Sequence, residues 1–266
     1  MVKGLYTAHT GMINQMKRLD VITNNLANSA TNGYKKEGAT AQSFDDELTF
    51  RIRDTSSFGL DTKIGTMTLG VKVGETYTDY SQGSFKETGN GTDFAIGGNG
   101  FFAISFTNRE GEVSIKYTRD GAFTIDQDGY LRTKDGDYVL NAYGAVNSDG
   151  GVENYVRVNP NLPFLVTADG QIIQEEQVIG QIGIVDIENY DYLEKYGENM
   201  YQLAEGGAVK EADGQINQGY LEMSNVNVVK EMVEMITITR AYESNQKLIQ
   251  TIDSTLDKTV NQIGKV

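Results

Sequence analysis

The side chains best suited to chemistry in this chain are aspartates at apparent turns. Asp126-Gln127-Asp128-Gly129 shares a fragment with calcium loops, where oxygens at alternating positions and a closing glutamate surround the ion. Here the third oxygen ligand is missing and Asp137, not Glu, stands at the twelfth position, so an ordinary hairpin turn is expected. A wall-glycan hydrolase would need two carboxylates across a cleft, one in an apolar pocket that raises its pKa. Many Asp pairs could be offered and none is singled out. Gly89-Asn90-Gly91 and Gly97-Gly98-Asn99-Gly100 lack the GxGxxG spacing and the GK[ST] ending of phosphate loops. Strand rather than helix follows them, which removes the helix N-terminus that would hold an anion. Asn90-Gly91-Thr92 matches the glycosylation triplet, a pattern common by chance. His9 is the single histidine and there is no cysteine, which excludes thiolate and multi-histidine metal sites and disfavours a Ser-His-Asp triad. No catalytic, cofactor or metal residue is assigned, and no enzyme activity is expected.

The totals fit a folded chain: 266 residues, 39% apolar, 23% charged, 30 glycines and a net charge of −14. That charge is uneven. Residues 1–36 carry five basic and one acidic side chain (+4), and residues 215–266 carry five and six (−1), which leaves −17 for the middle. Such a surface repels phosphate backbones and anionic lipid, so nucleic acid is not an expected partner. No run approaches the length of apolar residues a membrane helix needs, so no membrane insertion is expected. The start MVKGLYTAHTGMINQM lacks the continuous apolar core and cleavage site of a signal peptide.

The elements that would have to position any site are of two kinds. At the N-terminus Leu5, Met12, Leu19 and Leu26 recur every seven residues, with Ala8, Met16 and Ile22 between. That is a coiled-coil-like seam over about three heptads. Four asparagines then fall within residues 24–32, followed by Gly33. They would cost a continuing helix about 3 kcal/mol, so the helix should stop there. Near the other end Val228, Met235, Tyr242, Ile249, Leu256 and Ile263 repeat the sevenfold spacing, with Met232, Ile238, Ile252 and Val260 between. This helix is expected over about 226–262. Val229, Val233 and Ile236 form a second apolar flank on its first turns.

Between these ends lie short β-type runs: FFAISF (101–106), VSIKYT (113–118), AFTID (122–126), YLRT (130–133), DYVL (137–140), QIGIVDI (181–187) and MYQLA (200–204). Turns at Arg109-Glu110-Gly111, Asp128-Gly129, Asp135-Gly136, Asp149-Gly150 and Asp169-Gly170 separate them at spacings that suit an antiparallel sheet domain. The expected fold is therefore α+β: terminal α-helices forming a coiled-coil-like domain around a central antiparallel all-β domain. The expected boundaries are 1–36 for the first helix and its exit turn, 37–80 for an extended connector, 81–214 for the β domain and 215–266 for the last helix.

One partner helix cannot cover both flanks of the longer C-terminal helix. About a dozen apolar side chains, each worth roughly 1.5 to 3 kcal/mol when buried, would face water in a monomer. Ordering the ends costs on the order of 1 to 2 kcal/mol per residue, so the ends of a free monomer should order when neighbours cover them. The candidate subunit-interface residues are Leu5, Met12, Leu19, Ile22, Leu26, Val228, Val229, Met232, Val233, Met235, Ile236, Tyr242, Ile249, Ile252 and Leu256.

With these segments in view, the sequence resembles the bacterial flagellar rod and hook axial-protein family. NNLANSATNGYK is similar to its N-terminal signature, carried by Asn24, Asn25, Leu26, Ala27, Asn28, Thr31, Gly33, Tyr34 and Lys35. GSFKETGNGTDFAIGGNGFFAI and YTRDGAFTIDQDGYLRTKDGDYVL resemble its central β motifs, and GYLEMSNVNVVKEMVEMITITRAYESNQKLIQTID its C-terminal signature. The resemblance implies a structural subunit, with helices in an inner tube of the basal body and the β domain outside it. It also implies export through the flagellar secretion apparatus without a cleaved signal, and partners that are copies of itself and other rod or hook axial proteins. Length without a large inserted domain looks more like a rod than a hook protein, and RAYESNQKLIQT is closer to the distal rod type than to proximal ones. The rival classes from residues alone are a coiled-coil adhesin and a wall-glycan hydrolase.

Overall fold

The computed structural model describes residues 2–51, 62–108, 111–197 and 199–264. The chain is α+β and divides into two compact units. A helix-rich unit holds Met1–Ala27, Lys36–Asp79 and Val226–Val266, and a sheet-rich unit holds Asn28–Lys35 and Tyr80–Asn225. These divisions differ from the boundaries drawn on the sequence. Residues 215–225 belong with the sheets rather than with the last helix, and the exit turn 28–35 does too. The helices are α1 (Val2–Ala27), the short α2 (Ala142–Asn147) and α3 (Val228–Lys258). No helix among the described residues is long and apolar enough to cross a membrane.

In the helix-rich unit α1 ends at Ala27, at the asparagine run expected to stop it. The α3 helix starts from the N-cap Asn227, whose side chain accepts a hydrogen bond from the Lys230 amide at 3.1 Å, satisfying one of the orphan donors of a helix start. The segment expected as an extended connector is two antiparallel ladders: Glu37–Ser43 on Val71–Thr78, and Glu47–Arg51 on Thr62–Met67. The part of that connector at residues 52–61 lies outside the described residues. The inner ladder packs on α1 at Gly70, where φ is 145° and a Cβ would come within 2.1 Å of Thr10 Oγ1. Only glycine fits there.

In the sheet-rich unit the strand Phe101–Thr107 is central. It pairs with Val113–Thr118 on one side, and on the other with Tyr138–Val139 and with Ile184–Ile187. The ladder extends through Met200–Leu203 and Leu193–Gly197, and through Leu131–Arg132 to Thr124–Ile125, all antiparallel. Side chains alternate across a strand. Phe102 and Ile104 therefore enter one core with Phe94, Phe123 and Leu131, while Phe101 and Ala103 enter a second with Tyr117, Val185 and Tyr201. Burial on both faces explains why Phe101–Ile104 is apolar without a break. A separate three-stranded sheet joins Leu165–Val166, Gln171–Gln174 and Gln177–Gln181. Two more ladders draw the late residues in: Gln215–Gln218 on Phe94–Gly97, and Tyr220–Glu222 on Phe85–Glu87.

The Asp126–Gly129 stretch forms a hairpin turn in which the Gly129 amide donates to the Asp126 carbonyl at 2.9 Å. The Asp126 carboxylate pairs with Arg132 at 2.7 Å. The turn at 109–111 is described only at Gly111.

The buried carboxylate of Glu222 closes the sheet-rich unit. Lys35 Nζ lies 2.6 Å from one oxygen and Arg119 Nη1 3.0 Å from the other, and all three side chains are buried. The Gly83 amide donates to the same carboxylate at 2.9 Å, Lys35 also donates to the Ser81 carbonyl at 2.9 Å, and Arg119 to that of Gly98 at 2.8 Å. The Gly33 amide donates to the Glu222 carbonyl at 2.7 Å. Charges taken out of water are tolerated only when paired and hydrogen-bonded in this way.

Removing the charge from Glu222 with Glu222→Gln leaves two buried cations facing a neutral amide. We expect a loss of about 3 kcal/mol, read as a lower urea midpoint at an unchanged slope. A second expectation concerns Asp186. Burial pushes its carboxyl up, but hydrogen bonds from Tyr190 Oη (2.7 Å), Lys210 and the Ile187 amide outweigh that and hold it below the usual carboxylate range. A depressed folded pKa gives stability that is present above the unfolded pKa and lost as pH falls through the folded one. Tyr190→Phe removes one donor and should move acid unfolding, followed by near-UV circular dichroism, to higher pH.

Candidate assembly surface

The α1 and α3 helices lie antiparallel in the helix-rich unit, and many of the residues where they meet are small or polar. Gly4, Gly11, Arg18 and Asn25 recur every seven residues and face Ile252, Asn245, Glu234 and Glu231 in turn. A Cβ on Gly4 would sit 3.8 Å from Ile252 Cδ1, and one on Gly11 3.2 Å from Asn245 Nδ2. Arg18 pairs with Glu234 at 3.0 Å. Small and polar residues let the backbones approach closely. Ala8, Ile22 and Ile238 supply the buried apolar contacts on these helices.

The far end of the pair is held by buried Glu231. Lys36 Nζ donates to its carboxylate, and Asn25 Nδ2 lies 3.4 Å from its other oxygen. Asn25 also takes the Glu37 amide at 2.9 Å and donates to the Glu37 carbonyl at 2.7 Å, closing a two-bond ring with the chain that leaves the exit turn. Burial alone would lower the Lys36 pKa. The hydrogen bond and charge of Glu231 override it and hold the ammonium above its usual range.

Most of the expected interface residues therefore fall beside this contact, and Ile252, which faces Gly4, falls in it. Leu5, Met12, Leu19 and Leu26 each follow an inner-face residue by one position, a rotation of about 100°. Leu5 is exposed, and the other three are half-buried. On α3 Met235, Tyr242, Ile249 and Ile252 are half-buried, Val228, Met232, Ile236 and Leu256 are exposed, and Val229 and Val233 are 71% and 60% exposed. Ile22 is likewise inside, at 5% exposed and packed within its own unit. The side chain of Ile263 lies outside the described residues.

Of the signature residues, Asn25, Gly33, Tyr34 and Lys35 are buried, Asn24 and Ala27 are exposed, and Leu26, Asn28 and Thr31 are intermediate. Gly33 has a φ of 65°, and a Cβ there would fall 2.4 Å from the Arg119 carbonyl carbon. Lys195 Nζ lies 4.4 Å above the Tyr34 ring.

Sequence reasoning did not find Glu222 or Glu231, since a glutamate in a polar stretch gives no sign of burial. Nor did it find Ile13 and Met16 as surface positions, although both are exposed. With Leu5 and His9 they follow a three-and-four spacing that could have been read. An open apolar groove of 720 Å³ runs between the helices, lined by Val229, Val233, Thr237, Ala241, Gln15 and Arg18 among others. Gln15 Oε1 is buried there without a hydrogen-bond partner.

Three family models match the chain in order. One for a flagellar basal body rod protein matches residues 5–35, one for the D1 domain of the flagellar hook protein FlgE/F/G residues 95–172, and one for the C-terminal part of flagellar basal body rod FlgEFG proteins residues 217–263. The chain is 36% identical to the flagellar basal-body rod protein FlgG of Buchnera aphidicola subsp. Schizaphis graminum, over 97% of this chain and 98% of that protein. It is 35% identical to FlgG of Bacillus subtilis, over 98% and 99%. It is 32% identical to the rod protein FlgF of Caulobacter vibrioides, over the full length of both. The chain therefore belongs to the flagellar basal-body rod protein family and is a structural rod subunit.

Proposed function

We propose that this subunit assembles with copies of itself, and with other axial proteins of the rod and hook, through the flanks of α1 and α3. In that assembly the helices form a coiled-coil-like inner tube and the sheet-rich unit decorates it. The supporting observation is a division of labour along the helices. The contact inside the chain uses Gly4, Gly11, Arg18 and Asn25, while the Leu and Met rows one position over stay partly in water. Burying a large apolar side chain is worth roughly 1.5 to 3 kcal/mol, so this unused area is enough to drive association. Close packing of such side chains resists sliding, which is what transmission of torque along a rod requires. Residues 1–36 and 215–266 together carry +3, against −17 for the middle, so the helical ends repel their copies less than the sheet-rich unit does.

The subunit works in the basal body beyond the cytoplasm, reached through the flagellar export apparatus. The names of the relatives favour a rod over a hook position. Within that reading the candidate interface comprises the Leu and Met rows and the Val229, Val233 and Ile236 flank. Ile22 contributes indirectly, by holding the pair together.

Leu19→Asp and Met235→Asp should each abolish incorporation into basal bodies and motility. The sheet-rich unit should keep its thermal midpoint to within about 2 °C, since surface changes remote from a core cost little. Normal rods built from either variant, seen by tagging in isolated basal bodies, would remove the helical flanks from the interface.

A further inference from the structure

Two apolar surfaces of the helix-rich unit differ in shape. On α1 the exposed positions Leu5, His9, Ile13, Met16 and Asp20 form one ridge in steps of three and four. Between α1 and α3 lies the groove floored by Val229, Val233 and Thr237, with exposed Lys230 on its wall and the Arg18–Glu234 pair beside it. A ridge of i, i+3, i+4 side chains is what an apolar helix groove accepts.

We propose that the groove is filled by the α1 ridge of a second copy of this chain, running antiparallel to α3. This rests on the self-assembly reading above and names the surfaces that carry it. The register follows from the spacing. With Met16 of the incoming copy over Val233, Ile13 falls at Thr237 and Asp20 at Lys230, because both rows advance in helical steps. Charge agrees with that register: the groove carries Arg18, Lys230 and Glu234, one positive charge in excess, and the ridge ends on Asp20. Ridge and groove are different surfaces, so each copy offers one of each. Such a heterologous contact does not close on two copies but adds further copies in one direction.

The test is a charge exchange in the purified full-length chain, with assembly followed by sedimentation over a concentration series at low salt. Asp20→Lys and Lys230→Asp should each raise the concentration needed for assembly by about fivefold, and the double variant should return to within about twofold of the native chain. Leu19→Asp runs alongside as the control for the flanks in general, and far-ultraviolet circular dichroism checks that helix content is equal. If both single variants assemble as the native chain does while Leu19→Asp fails to, the ridge-in-groove contact is wrong and self-assembly stands. If the double variant is as poor as the two single losses combined, the contact is also wrong. A native chain that stays monomeric at every concentration overturns the self-assembly reading and this contact with it.

Discussion

The carboxylate of Glu222, buried between Lys35 and Arg119, is the contact on which the sheet-rich unit depends. It joins three stretches of chain that are far apart in sequence: the exit turn after α1, the end of the strand Val113–Thr118, and the late strand Tyr220–Glu222. Without the glutamate, two cations would be left in a site that water does not reach. The cost of an unpaired buried charge is of the order of several kcal/mol, a large fraction of what a domain of this size has in reserve. The helix-rich unit repeats the arrangement on a smaller scale, with Glu231 receiving Lys36 and Asn25. The asparagine-rich stretch thus does more than end a helix. Its last residue, Lys35, is one of the two cations on Glu222, and the next residue, Lys36, is the cation on Glu231.

The helices show the opposite economy. Their mutual contact relies on glycines, one ion pair and an asparagine, which limits how strongly the two helices of one chain hold each other. Large apolar side chains are kept to the flanks. In a free-standing coiled coil the heptad leucines would be shut inside the pair. A member of the rod family instead has neighbours to cover them, and the distribution of burial along α1 and α3 suits a helix pair that is one component of a larger wall.

Much of this was legible from sequence, and the exceptions have physical causes. The sevenfold spacing located both helices, and the Asn run placed the end of α1. Periodicity could not tell which face would be inside, because the rule looks for large apolar residues and this contact uses small and polar ones. FFAISF was readable because it is long and mostly buried, and VSIKYT because it is long and rich in β-branched and aromatic residues. The two-residue strands at 124–125, 131–132 and 138–139 are shorter than the runs expected there, since pairing stops before the apolar pattern does. The hairpin Gln171–Gln174 with Gln177–Gln181 escaped notice because its turn is Glu175-Glu176, both at positive φ, where the rule expects Asn-Gly. The late strands from 215 to 222 read as the approach to a helix. Their polar glutamines and Glu222 are held by partners more than a hundred residues away, which local pattern cannot reveal.

Consecutive residues Lys35 and Lys36 are committed to different glutamates, one in each unit. No spare residue separates the two attachments. Replacing either lysine would therefore strip a buried carboxylate of a cation in one unit while leaving the ion pair of the other unit intact.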